Sequence, residues 1–246
     1  MTIDLAVAAT AVIRRIKRLR LQGVAHIPLH GPALIAAQHS SPLDLFYYLA
    51  LMQEVGRPDH RFVTTVEMVD AQRFRPYTAA ALARGAPWLG PLVGGLAQVA
   101  SWIIPPFMRR FDPILVQRQG DDSASRDECV AWLLAGHLLT IAPGWGDDRH
   151  RDANGQRPLT HSIAAIARRF FDAGQEALPV VPLALGVTGQ GLRASSYVRL
   201  GPPWRGMSDR EYPALFAPGG RVDPSIKHRA YANYSRQLAA RLAELR

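Results

Sequence analysis

Short runs rich in valine, isoleucine and other apolar residues alternate with segments of helical spacing along this chain, and that alternation points to a layered α/β fold. The pattern predicts strands over 33–37, 61–65, 113–117, 138–142, 180–185 and 196–200, and helices over 42–53, 125–135, 160–173 and 224–246. The last helix has Asp223 as an N-cap and Pro224 at its first position, and Ile226, Ala230, Tyr234, Leu238, Leu242 and Leu245 recur every three or four residues. Strands separated by helices pair mainly in parallel, so the expected architecture is a mainly parallel or mixed central sheet flanked by helices. With 246 residues, 48% of them hydrophobic and 20% charged, the chain can bury a full core and is not of disordered composition. It shows no internal repeat and no low-complexity linker.

Lys and Arg number 29 against 20 Asp and Glu, a net charge of +9 that attracts nucleic acid, anionic headgroups or phosphorylated small molecules. Charge alone does not choose among them, but aromatic residues interleaved with basic ones, as nucleic-acid binding requires, are missing. Cys129 is the only cysteine, so no intrachain disulfide exists, which fits a reducing cytosol. At the N-terminus, Leu5, Ala9, Val12, Ile16 and Leu19 share a helical stripe, with Arg14, Arg15, Lys17, Arg18 and Arg20 clustered near its end. A secretory signal has basic residues before its apolar part, whereas here they come after it. Residues 1–24 read either as an interfacial helix facing anionic headgroups or as a domain helix with a solvated basic face.

Residues 85–108, GAPWLGPLVGGLAQVASWIIPPFM, carry no charge. The length suits a membrane span, but Gly85, Pro87, Gly90, Pro91, Gly94, Gly95, Pro105 and Pro106 predict a helix broken near both ends. The segment reads as core, as a buried or membrane-dipping helical hairpin, or as the wall of a lipid pocket.

The chemistry concentrates at PALIAAQHSSPLDLFYYL, residues 32–49. An apolar strand ends just before Gln38 and His39, and ligand sites in parallel α/β sheets lie beyond the carboxyl ends of strands. Ser41 suits an N-cap, Pro42 the first helical position and Asp44 the third, so capping and the helix dipole already account for Asp44. They do not account for His39. A histidine at a strand–helix turn with a carboxylate one turn into the helix can act as a general base whose tautomer the carboxylate fixes. Such a dyad needs no protein nucleophile, because the attacking oxygen belongs to the substrate.

QHSSPLD resembles the NHxxxxD block of the glycerolipid acyltransferases, the family of lysophosphatidate and glycerol-3-phosphate acyltransferases. PILVQR, ending at Arg118, resembles the second block, an apolar strand closed by an arginine for the acceptor phosphate. GHLLTIAPGWGDD resembles the third, and LPVVPLAL, carrying Pro182, the fourth. The resemblance spans roughly residues 30–190 and implies a glycerolipid-acyltransferase-like α/β domain over 25–246, with an uncharged insertion near 85–108. It implies His39 as general base, Asp44 as its orienting partner and Arg118 as the anion clamp. Pro143, Gly144, Trp145 and Gly146 would line the substrate through backbone amides, with Arg149 or Arg151 substituting for the charge that the family's third block has and this chain lacks. No metal or bound cofactor is implied. The donor would be an acyl thioester, acyl-CoA or acyl carrier protein, and the acceptor a lysophospholipid, glycerol phosphate or other lipid hydroxyl. The setting would be an anionic membrane surface on the cytoplasmic face.

Three departures stand out. Gln38 replaces the usual asparagine. After Pro143 come Gly144, Trp145, Gly146 and Asp147, where the family has glutamate, glycine, threonine and arginine. The uncharged segment lengthens the interval between His39 and Arg118. The damaged third block also fits a non-catalytic lipid-binding protein on the same scaffold. Elsewhere, Cys129 beside Glu128 reads as a structural cysteine, GVTGQG at 186–191 as a turn, and DDRHRD at 147–152 as a solvated loop or a neighbour of the site. His137, His150 and His161 lack metal-ligand spacing.

Overall fold

The computed structural model describes residues 11, 14–15, 18–37, 44–85, 90, 92–117, 122–143, 159–188, 195–217 and 222–246, with backbone alone at 44–46, 81 and 84–85. These residues form strands β1 (Arg20–Gln22), β2 (Ala33–Ala37), β3 (His60–Thr65), β4 (Ile114–Val116), β5 (Leu138–Ile141), β6 (Val180–Thr188) and β7 (Ser195–Leu200). The helices are α1 (Asp44–Val55), α2 (Ala71–Gly85), α3 (Val93–Arg109), α4 (Ser123–Leu134), α5 (Ser162–Gly174) and α6 (Pro224–Glu244). The fold is α/β, with mostly parallel strands.

Two compact units divide the chain: Met1–His60 with Cys129–Arg246, and Arg61–Glu128. In the first, the strand order is β1-β7-β6-β2-β5. Among the described residues, the pairings there are parallel except that of β6 with β7. In the second, β3 and β4 pair in parallel, with Thr65 opposite Val116.

Strand β2 explains why its sequence is wholly apolar. All five residues, ALIAA, have 0% exposure, because layers cover both faces of the sheet. Leu34 and Ile35 each contribute roughly 1.5–3 kcal/mol through that burial. Buried in the same unit are Leu138 and Leu139 of β5, Val180 and Val181 of β6, Ile163 and Phe170 of α5, and Tyr234 and Leu238 of α6.

Pro182 lies within β6, opposite Ala36 of β2. Proline in an inner strand forfeits a ladder bond, and here the β7 side is already irregular. Leu183 faces Leu200, whereas Val180 bridges to Trp204, so an extra residue bulges out of the chain after β7. The Pro182 carbonyl accepts from Gly201 N–H at 2.9 Å, and its missing donor falls on that bulged side.

The helix start at α6 matches its sequence signal: Asp223 accepts from the Ser225 amide at 2.7 Å, and Pro224 is the first helical residue. At the other end of the chain, most of the predicted N-terminal helix lies outside the described residues. The basic stretch does not stay helical to its end. Arg18 turns with φ 45°, and Arg20–Gln22 becomes β1 beside β7. Gly23 then takes φ 73°, where an added Cβ would stand 2.3 Å from the Leu200 carbonyl oxygen.

Three further elements depart from the sequence pattern, the first being α2, a helix that the pattern does not predict. The turn expected to begin at Gly186 is still strand, and β6 runs on to Thr188. Gly186 is required there, because its partner Tyr197 lays its ring where a Cβ would sit. The helix break expected at Pro105 and Pro106 does not occur. α3 runs through both to Arg109, with Val93, Ala97, Ser101, Pro105 and Met108 on one buried face. Packing along that face holds the helix past the two missing amide donors. Among the described residues, no helix is long and apolar enough to cross a membrane.

Candidate functional site

The two edges of the first unit's sheet carry different chemistry. At the edge where β2 and β5 begin, Arg57 is 8% exposed and spends its guanidinium on several acceptors. Nη1 donates to the carbonyls of Pro28 and Gly31, each at 2.9 Å, Nη2 to that of Gly136 at 3.2 Å, and Nε to Asp59 Oδ1 at 3.0 Å. Nη2 also pairs with Asp59 Oδ2. The Arg57 hydrogen bond, aided by its charge, holds the Asp59 carboxyl down at about 2. His137 Nδ1 lies 3.5 Å from the same carboxylate, and the Asp59 carbonyl accepts from Leu138 N–H at 3.1 Å. Arg57 thus ties the loops entering β2 and β5 to its own loop, a structural clamp.

Next to the clamp, His60 Nε2 meets Thr140 Oγ1 of β5 at 2.8 Å. Burial pushes this imidazole down to about 3, so it is neutral at any physiological pH. Because Thr140 faces Ile35 in the ladder, the contact braces β5 close to the centre of the sheet.

At the opposite edge, β5, β2 and β6 all end in the same direction. Ala36 faces Ile141 on one side and Pro182 on the other, and Ala37 faces Leu183. The chain leaves β2 here toward His39 and returns at Asp44, the first residue of α1. It leaves β5 here through Ala142 and the buried Pro143. Strand β6 continues past this edge and, with β7, builds an overhang up to the pair Thr188–Ser195. Just after its start, α1 is joined to that overhang: Tyr47 Oη and Ser196 Oγ form a buried hydrogen bond of 3.0 Å. Residues 47–51 of α1 are all buried, so the helix that carries Asp44 is anchored on several sides.

The expected site residues therefore divide. Asp44 is placed at the head of α1 and Pro143 just beyond β5, on one edge of the sheet. His39, Arg118, Gly144, Trp145, Gly146 and Arg149 lie outside the described residues. Tyr47 and Ser196 were not legible as positioning residues, because neither belongs to a motif and the pair is joined only by the fold. Cys129 is 1% exposed, in keeping with a structural cysteine. His161 does have a histidine neighbour, His228 of α6, with ring centres 5.2 Å apart. Among the described residues, no three His, Cys, Asp or Glu side chains gather as a metal site.

No family model matches the chain, and no curated protein matches it. Among solved structures, the chain is similar to the crystal structure of the 1-acyl-sn-glycerophosphate (LPA) acyltransferase PlsC from Thermotoga maritima. The two are 12% identical with a TM-score of 0.45, and the match covers 100% of this chain and 84% of that one.

Proposed function

We propose that this protein is an O-acyltransferase that moves a fatty acyl group from an acyl thioester to a hydroxyl of a lipid or phosphorylated acceptor. The observation that carries the reading is the convergence of three motif-like segments. The strand that leads into QHSSPLD and the strands within GHLLTIAPG and LPVVPLAL are distant in sequence, yet they are β2, β5 and β6, which are neighbours in one sheet. In parallel sheets such an edge is where ligands bind.

In this reading His39 takes the proton of the acceptor hydroxyl, and Asp44 orients and stabilises the resulting imidazolium. The hydroxyl oxygen attacks the thioester carbonyl. The tetrahedral intermediate then collapses, breaking the carbon–sulfur bond, and the departing thiolate takes the proton from His39. Backbone amides at Gly144, Trp145 and Gly146, following Pro143, stabilise the oxyanion or hold a phosphate. Arg118, and Arg149 in place of the family's third-block arginine, supply positive charge to the acceptor. The role of Arg118 comes from the resemblance alone. The enzyme works at the cytoplasmic face of the membrane.

Thiol release from acyl-CoA and acyl carrier protein donors, measured with and without lysophospholipid, glycerol phosphate and other lipid alcohols, tests the proposal. Acceptor-dependent release with formation of the acylated product is the expected result. The altered third block, Gly144-Trp145-Gly146-Asp147, favours a second reading, a lipid-binding protein without turnover. Saturable lipid binding with no release from any donor would select it.

A further inference from the structure

In the second unit, α2 and α3 form a helical hairpin whose open end is fixed by Arg109, which donates from Nε to the Val69 carbonyl at 2.7 Å. One face of α3 is buried. The other exposes Leu92 at 62%, Leu96 at 46%, Val99 at 50%, Trp102 at 67% and Ile103 at 59%. Leu92, Leu96, Val99 and Ile103 fall on one stripe of the helix, and Trp102 borders it. Water-facing apolar side chains in such a row call for a partner. No charge interrupts residues 85–108.

Most of the hairpin's charges lie at the open end, Arg84 near the turn being the exception. Arg73 and Arg75 are exposed near the start of α2, and Arg109 and Arg110 are exposed at the end of α3. The nearby carboxylates Asp70 and Asp112 are engaged, by Arg73 at 3.8 Å and Arg61 at 3.1 Å. The hairpin is thus apolar and uncharged along α3 and positive at its base. That is the charge order of a segment that lays its apolar face among acyl chains and keeps its cations at the headgroups.

We infer that the exposed face of α3 is a docking surface for an anionic lipid bilayer, with Arg75, Arg109 and Arg110 meeting the headgroups. The choice of a lipid occupant rests on the acyl-transfer reading above, and the surface itself rests on the exposed row and its basic base. Insertion is interfacial, since α3 has only 17 residues and does not span.

The test is sedimentation of the full chain with vesicles of phosphatidylcholine alone and of phosphatidylcholine mixed with phosphatidylglycerol, without acyl donor or acceptor. The parent protein should bind the anionic vesicles more tightly. Leu96→Gln/Val99→Gln/Ile103→Gln should weaken binding to both vesicle types by more than about tenfold, because each loses partition into the acyl region. Arg75→Gln/Arg110→Gln should weaken binding only to anionic vesicles, by about fivefold per charge. Brominated acyl chains should quench the parent's tryptophan emission, and Trp102→Phe should lower the quenched fraction. No binding by the parent, parental binding by the triple variant, or an unchanged quenched fraction would overturn the inference. So would a parent dimer that the triple variant converts to monomer while vesicle binding stays intact, since the occupant would then be a second copy. His39→Ala should bind vesicles like the parent. Acyl transfer to a soluble acceptor without vesicle binding would remove this surface and leave the catalytic reading standing.

Discussion

Ala36 of β2 and Ile141 of β5 are register partners on adjacent parallel strands. The segments that follow them, one leading to His39 and the other to Pro143 and Gly144, therefore start from one edge of the sheet. Residues about a hundred positions apart in sequence are brought within one loop's reach by a single ladder, and the catalytic account depends on that ladder.

The hydrogen bond between Tyr47 and Ser196 ties α1 to the β6–β7 overhang, at 3.0 Å and away from water. Tyr47→Phe should cost about 1–2 kcal/mol, since it leaves the serine hydroxyl buried without its partner. Ser196→Ala should cost a similar amount. The double variant should lose less than the sum of the two, as a denaturant-based double-mutant cycle would show. Additive losses would mean that the two groups do not depend on each other.

Arg57 should be among the most sensitive positions in the chain. Arg57→Met removes the cation from the Asp59 carboxylate and the donors from three carbonyls, and should destabilise by about 3–5 kcal/mol in urea unfolding. Arg57→Lys should recover only part of this, because an ammonium cannot reproduce the fork that reaches Asp59, Pro28, Gly31 and Gly136 together. Full recovery by lysine would show that charge alone is what the site needs.

His60 sets the acid side of the stability curve. Its folded value lies near 3, below the ordinary 6.5, so between these the unfolded chain binds a proton that the folded chain refuses. Stability from this group is complete above about pH 6.5 and falls as pH drops toward 3, by about 1.4 kcal/mol per pH unit. Asp59, held at about 2, adds a loss in the same direction below its ordinary 3.8. Melting temperature should fall steadily from pH 6.5 to 4.5. His60→Gln, which can keep a contact to Thr140, should flatten that interval.

The strands were legible because each is a compact apolar run, and β2 agrees with its sequence reading at both ends. β1 was not. Arg20–Gln22 has the composition of the helix before it, and only its partner β7 makes it a strand. α3 was hidden by Gly94, Gly95, Pro105 and Pro106, whose local preferences oppose a helix that tertiary contacts stabilise. The candidate site was legible where chemistry is local, as in the sequence from β2 to the head of α1. Its support by Tyr47 and Ser196 was not, because the two are 149 residues apart.

Gly94 and Gly95 give the hairpin a direct stability test. An added Cβ meets nothing within 4 Å at either position, and neither has a positive φ. Gly94→Ala and Gly95→Ala should each raise stability by about 0.5–1 kcal/mol in thermal or urea unfolding, by restricting the unfolded chain and favouring the helix. Destabilisation by either would indicate that the face is packed against something in solution.

The catalytic claim is tested most directly by the turnover of His39→Ala with the donor and acceptor pair that the parent enzyme uses best. Removing a general base should lower kcat by about 10²–10⁴-fold. The melting temperature and vesicle binding should stay at parental values, and Asp44→Asn should show a smaller loss. A folded His39→Ala protein that transfers the acyl group at near-parental rate would contradict the account.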